Sequence, residues 1–400
     1  MSWPTRRLGD LCSRITVGHV GPMANEYVDE GIPFLRSQDI QPFGIVDNGS
    51  KFITPEFHAK LKKSELRAGD VAIVRTGFPG TAAVVPQRLD RSNCADLVIA
   101  TPGPELNPWF LACLMNSAWG KGTVSGVLVG VAQQHFNVGA AKEMRFRCPP
   151  IAVQDRIADI LSAYDDLIEN NTRRIAILED MARRLFEEWF VRSPEQPSWP
   201  EVAFTDIASV GSGGTPKKDN PTFWGGDIAF FTPRDAWQPL FAMDTLAKIT
   251  GAGLAKCNSK LYPTFTVFIT ARGTVGNVLL APEPMAMNQS CYALSGLNGV
   301  PQSFLFFATR HMADELRAKS SGAVFDAIIV DTFRAHSVKR PPLDLMQAYD
   351  RQCLPMLEGI LVLRRANANL RSTRDLLLPK LISGEIEVRA AEEALEAAAA

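Results

Sequence analysis

No stretch of about 18 consecutive apolar residues occurs in the 400-residue chain, which excludes a membrane-spanning helix. The opening Met1-Ser2-Trp3-Pro4-Thr5-Arg6-Arg7 leads into mixed polar sequence, so no signal peptide is expected and the cytoplasm is the expected compartment. Seven cysteines are scattered without a C-x-x-C pair, as reduced thiols are, and five histidines form no H-x-x-x-H pair, which leaves metal chemistry without support. Catalytic signatures are missing too: there is no G-x-S-x-G elbow and no H-E-x-x-H. Asn220-Pro221-Thr222-Phe223 resembles the Asn-Pro-Pro-aromatic motif of amino-methyltransferases, but Thr222 replaces the second proline and no glycine-rich cofactor loop accompanies it. A large charge of one sign is also absent. Five acids and one base fall in Glu385 to Ala400, and the remaining body holds 41 basic and 38 acidic residues. Such a body does not coat nucleic acid by charge alone, although it permits local basic loops.

What the sequence does contain is a tandem repeat. Ser2-Trp3-Pro4 recurs as Ser198-Trp199-Pro200, Ile32-Pro33-Phe34-Leu35 matches Ile228-Ala229-Phe230-Phe231, and Asp39 falls on Asp235, all at an offset of 196. Val71 to Pro86 lies on Val267 to Pro282 at the same offset, with Gly77 and Gly80 on Gly273 and Gly276. Farther along, Pro149-Pro150 matches Pro341-Pro342, and Leu178 and Leu185 match Leu370 and Leu377, now at 192.

Each copy divides in two. A first part of about 145 residues has short β-like runs such as Val71 to Val74 and Val267 to Thr270, with helical stretches at Trp109 to Ser117 and Phe304 to Lys319. This composition predicts an α+β domain. After the Pro-Pro pair, which suits a helix entrance, a heptad takes over. Ile157, Tyr164, Asn171, Leu178 and Leu185 form one line, Leu161, Ile168, Ile175, Ala182 and Trp189 its neighbour, and Tyr349, Met356, Leu363, Leu370 and Leu377 the line of the second copy. Ile151 to Phe190 contains neither Gly nor Pro, which predicts a helix of about 60 Å. A domain narrower than that helix must connect the end of the first to the start of the second, so the helices are expected to run antiparallel. The expected architecture is a pseudo-twofold tandem repeat, two similar domains separated by an antiparallel coiled coil. The expected boundaries are 1–148 and 194–340 for the domains, 149–193 and 341–384 for the spacer helices, and 385–400 for an acidic, Ala-rich tail.

The two copies agree mainly at glycines and apolar residues and differ in polar loop chemistry. Arg36 faces Thr232, Gln38 faces Arg234, Arg75 faces Ala271, Thr76 faces Arg272, and Phe78 faces Thr274. Arg, Gln and Thr pair with base edges or phosphate oxygens, so these loops are candidate duplex-DNA readers, each copy reading a different sequence. A solvated surface side chain remains the competing reading at each position. The two glycine-bounded turns are hairpin elements whatever they bind. Gly211 to Lys218 combines glycines with Thr215, Lys217 and Lys218 and suits contact with DNA phosphates, but lacks the spacing of a nucleotide-binding loop. Phe186, Trp189 and Phe190 close the first helix either as core or as a docking point for a partner.

Taken together these residues resemble the specificity (S) subunit of type I restriction-modification systems over about residues 3 to 384. The resemblance is carried by Pro149-Pro150 through Asp165-Asp166-Leu167-Ile168-Glu169-Asn170-Asn171 to Leu185-Phe186-Glu187-Glu188-Trp189-Phe190, by Gly213-Gly214-Thr215-Pro216 with Trp224-Gly225-Gly226-Asp227-Ile228, and by Asn288-Gln289. It implies a noncatalytic DNA reader with two target recognition domains, each recognising one half of a split, asymmetric target, with the helices setting the gap. It also implies two modification subunits that use S-adenosylmethionine to methylate adenine, and restriction subunits that use ATP and Mg, with no cofactor in this chain. DNA contacts are expected at Arg36, Gln38, Arg75, Thr76, Gln133, Gln134, Thr215, Lys217, Lys218, Arg234, Arg272 and Thr274, and partner contacts at Phe186, Trp189, Phe190, Leu378 and Leu381. The second copy departs from the first in lacking a counterpart of Gln133-Gln134 and in carrying Gly359, Asn367, Thr373 and Arg374 on its helix. The alternatives are a DNA-binding subunit of another methyltransferase-linked defence system, a fused methyltransferase, and a tandem module for a non-nucleic ligand.

Overall fold

The computed structural model describes residues 3–46, 51–130, 135–319 and 327–399. The chain forms two compact units, 1–171 with 366–400, and 172–365. Both are α+β, and the repeat reappears as topology. In the first unit a four-stranded antiparallel sheet runs in the order Ala82–Val84, Val71–Val74, Leu97–Pro102, Cys12–Val17. The second unit has the same order in Val278–Leu280, Val267–Thr270, Cys291–Gly296 and Ala208–Ser212. Each unit adds a second sheet, five-stranded in the first and three-stranded in the second, containing one parallel pair, Ile32–Leu35 with Ser92–Cys94 in one and Trp224–Phe231 with Met285–Met287 in the other. A short ladder then closes each unit, Thr5–Arg7 against Arg145–Arg147 and Glu201–Ala203 against Ser337–Lys339.

The strands Val71–Val74 and Val267–Thr270 are buried along their whole length, so they read as continuous apolar runs without alternation. Helix Pro108–Asn116 covers the first sheet, with Asn107 capping it by accepting from the amides of Trp109 and Phe110 at 2.8 and 3.0 Å. Gln302–Lys319 takes that place in the second unit. All seven cysteines are unpaired. No helix among the described residues is long and apolar enough to cross a membrane.

The heptads form two long helices, Ile151–Phe186, which ends in a π turn at Glu187–Val191, and Leu343–Ser383. The second stays helical through Pro355 and Pro379, although a proline removes an amide donor wherever it stands inside a helix. The two helices pack together along the heptad stripes. In the first unit Asp165 pairs with Arg374, while Ile168 and Asn171 meet Asn367. In the second, Glu179 pairs with Arg364 at 2.8 Å, Phe186 meets Tyr349, and a Cβ on Gly359 would lie 3.6 Å from Leu178. The partner's number falls as the first helix's rises, so the pair is antiparallel. Polar Asn367 and Arg374, which interrupt the apolar stripe in sequence, are each answered by a polar group of the first helix. Segment 385–400 is more than a solvated tail: Val388–Ala399 is helical, Ala391 is fully buried, and Val388 and Leu395 pack on the first unit's core.

Candidate nucleic-acid interface

In the first unit the hairpin between Val71–Val74 and Ala82–Val84 projects a turn held by the Gly80 amide on the Val74 carbonyl at 3.0 Å and the Thr81 amide on the Phe78 carbonyl at 3.2 Å. Gly77 and Gly80 have φ of 83° and 89°, a region side chains disfavour, which explains why both positions are glycine. The turn presents Phe78, 83% exposed, beside a loop that begins at Arg36. A concavity of about 990 Å³ between them is lined by Arg36, Gln38, Gln41, Thr76, Phe78 and Lys121 among others.

These candidate readers differ in freedom. Arg36 grips Asp39 through two hydrogen bonds of 2.9 and 3.0 Å, and this bonding holds its guanidinium pKa above the ordinary value. Arg75 donates to Asp96 at 2.9 Å and to the Phe136 carbonyl at 3.0 Å, with only 13% of its side chain exposed, and Thr76 donates to the same Asp96. Arg75 and Thr76 therefore fasten the turn to the domain. Gln38 and Lys121 are exposed with no ion pair or side-chain hydrogen bond among the described residues. Gln133 and Gln134 lie outside the described residues.

The second unit repeats the scaffold and changes the chemistry. Its hairpin turn has Gly273 and Gly276 at φ of 82° and 81°, with the Gly276 amide on the Thr270 carbonyl at 2.8 Å. Thr274 donates to the Pro233 carbonyl at 3.2 Å and Asn277 to the Ala236 carbonyl at 3.1 Å, which joins the turn to the neighbouring loop. That loop is anchored by buried Asp235, which accepts from the amide and hydroxyl of Thr232 at 2.8 and 2.7 Å, as Asp39 accepts from the Arg36 amide. Arg234 and Arg272 are exposed and without an ion pair among the described residues. The loop also presents Trp237, 76% exposed. Sequence comparison missed Trp237 because its counterpart at the 196 offset is Gln41, and a lone tryptophan signals core as readily as surface.

Around Gly211 to Lys218 the glycines serve packing. A Cβ on Gly213 would come within 2.0 Å of the Asn288 carbonyl oxygen, and the Gly214 amide is already bonded to the Met287 carbonyl. The Gly214 amide is thereby taken up inside the domain, because this segment folds against the residues that follow Met287. Thr215 donates to Gln289, while Lys217 and Lys218 remain exposed. At the far end of the first long helix, Phe186 and Phe190 are buried among Phe304, Phe307 and Tyr349, with Trp189 half-buried at the edge. Leu378 and Leu381 are buried in the first unit's core. No group of His, Cys, Asp and Glu side chains among the described residues could hold a metal ion.

Comparison with known proteins agrees with this architecture. The chain is 22% identical over 321 residues, 62% of this chain and 70% of the relative, to the type I restriction enzyme HindI specificity subunit of Haemophilus influenzae. It is 27% identical over 147 residues, 36% of this chain and 34% of the relative, to the MjaIX specificity subunit of Methanocaldococcus jannaschii. Among solved structures, the type I restriction-modification S subunit from M. genitalium shares its fold, with a TM-score of 0.66 at 14% identity over 95% of this chain and 96% of that one. The model of the type I restriction modification DNA specificity domain matches residues 2–180 and again 197–352, once for each copy of the repeat. The chain belongs to this family and is a noncatalytic specificity subunit of a type I restriction-modification system.

Proposed function

We propose that each copy reads one half of a bipartite, asymmetric duplex target, and that the chain thereby directs adenine methylation and restriction by its partner subunits. The partners in this reading are two modification subunits using S-adenosylmethionine and restriction subunits using ATP and Mg, all working in the cytoplasm. Residues 1–148 and 194–340 serve as the recognition domains, 149–193 and 341–384 as the spacer helices, and 385–400 as a terminal segment seated on the first unit.

One observation carries the reading: the same hairpin and loop are built twice, with matched glycines and matched aspartate anchors, yet they present different polar side chains. Among the described residues Gln38 and Lys121 are exposed without an ion pair in the first copy, and Arg234 and Arg272 in the second. A scaffold duplicated for structure alone has no need of this divergence. Arg and Gln recognise base edges in the major groove, and Lys neutralises phosphate. Trp189 is the part of the aromatic helix end that a partner subunit reaches, with Phe186 and Phe190 bracing it from inside.

The test is to purify the chain with its modification subunits and measure binding to its genomic target, found by mapping methylated adenines, and to random duplex across a salt series. Binding that is target-selective, with each half-site altered independently by changes in one copy, is the expected result. Equal affinity for target and random duplex at every salt concentration overturns it.

A further inference from the structure

Phe78 and Trp237 are the two most exposed large apolar side chains among the described residues, and they occupy the same loop pair in the two copies. Phe78 stands on the hairpin turn of the first unit, where the second has Thr274. Trp237 stands on the adjoining loop of the second, where the first has Gln41. Each copy thus offers one aromatic, delivered by a different loop.

Neither is exposed through looseness. Phe78 sits between two left-handed glycines in a turn closed by three backbone hydrogen bonds, Gly80 to Val74, Val74 to Thr81 and Thr81 to Phe78, and is followed by Pro79. Trp237 lies between buried Ala236 and buried Gln238, whose amide donates to the Asp235 carbonyl at 3.1 Å and the Asp244 carbonyl at 2.6 Å and accepts from the Asp244 amide at 3.0 Å. Of the acids nearby, Asp39 is engaged by Arg36, Asp96 by Arg75 and Thr76, and Asp235 by Thr232 and the Leu246 amide, while Asp244 on the Trp237 loop is exposed. Exposed cations without an ion pair among the described residues stand in both copies, Lys121 in one and Arg234 with Arg272 in the other. A preorganised aromatic tip accompanied in its own copy by exposed cations suits a polyanion with stacked rings.

We infer that Phe78 and Trp237 act as wedges, each entering a base step of the half-target its own copy reads and unstacking it. Apolar side chains used this way open base steps and kink the duplex, and an enzyme that modifies a base must first take it out of the stack. The inference rests on the reading that each copy binds DNA, and adds that recognition includes local deformation supplied by this chain.

The experiment uses the complex with its modification subunits and target duplexes carrying 2-aminopurine at successive positions. In the wild type, one step in each half departs from the free-duplex fluorescence. Phe78→Ala removes the signal in one half and Trp237→Ala in the other, each weakening target binding about 10- to 100-fold, the loss expected when one aromatic–base stack is removed. Phe78→Tyr and Trp237→Phe keep both signals, and thermal melts confirm that all four variants fold. Selective binding with no fluorescence change in the wild type overturns the wedge alone, as do Ala variants that bind and unstack like the wild type. Loss of modification subunits from the Ala variants with DNA binding intact makes these aromatics a protein interface and also overturns it. A wild-type complex that does not select its target overturns the DNA reading itself.

Discussion

Asn171 donates a side-chain hydrogen bond to Asn367 at 2.9 Å across the two long helices, and Asn367, 3% exposed, donates in turn to the carbonyl of Ile168 at 3.3 Å. A polar pair inside an apolar seam costs stability but penalises any slip that would set either amide against leucine. Asn367→Leu leaves the Ile168 carbonyl and the Asn171 amide without this partner, so the variant should lose about 1–3 kcal/mol. The double variant Asn171→Leu with Asn367→Leu should recover most of that loss, because both polar partners go together. Denaturant midpoints of the three proteins measure this, and a double variant as weak as the single one argues against the pair.

Asp165 and Arg374 supply a second polar tie in the same seam. Burial raises the Asp165 carboxyl above the ordinary carboxylate range, against the pull of Arg374, which also lies 4.7 Å over the ring of Phe43. A carboxyl raised on folding contributes stability that is present below its unfolded value of about 3.9 and is lost as pH rises through its folded value. Arg374→Met removes the compensating cation, raises the carboxyl further and deepens that loss. The variant should therefore be about 3 kcal/mol less stable than wild type near neutral pH, with a smaller deficit near pH 4, where Asp165 takes up a proton. Chemical denaturation at the two pH values decides, and a deficit that grows toward acid refutes the sign.

Much of this was readable from sequence. Duplication was visible because glycines and apolar residues must recur wherever the same turns and layers recur. The drift of the offset from 196 to 192 was visible without its cause, which lies in several connections, the largest step being one where seven residues, Val85 to Arg91, separate two strands in the first copy and four, Ala281 to Pro284, do so in the second. Side-chain freedom was illegible. Arg75 and Arg272 look alike as loop arginines, and only the fold brings Asp96 against one and leaves the other in solvent. Left-handed backbone can also hide: Gly69 and Phe265 occupy matching positions with φ of 88° and 65°, and only the glycine announces it.

The aromatic end of the first helix should behave as core. Phe186 is 6% exposed and meets Phe190, Phe304, Phe307 and Tyr349 with ring centroids 5.4 to 6.1 Å apart. Phe186→Ala should cost about 3–5 kcal/mol through lost burial and the cavity left behind. Trp189→Ala, at the edge of the cluster, should cost less and weaken co-purification with the modification subunits more. A Phe186→Ala protein with unchanged melting temperature contradicts the core assignment.

Arg75 and Arg272 make the sharpest contrast, because one explanation cannot serve both. Arg75→Ala removes the cation beside Asp96 and the donor to the Phe136 carbonyl, leaving Thr76 on Asp96, so it should cost about 1–3 kcal/mol of stability and slacken the turn that carries Phe78. Arg272→Ala removes an exposed side chain that has no ion pair among the described residues, so its stability should stay within about 0.5 kcal/mol of wild type. Its effect should fall on DNA. If Arg272 reads a base, one position in one half-site relaxes by about 1–3 kcal/mol; if it meets a phosphate, all sequences weaken alike and the salt slope becomes shallower by about one. Melting curves with methylation profiling of the variant complexes separate these outcomes. Relaxation in both half-sites from Arg272→Ala alone contradicts the assignment of one half-site to each copy, since Arg272 belongs to the second copy only.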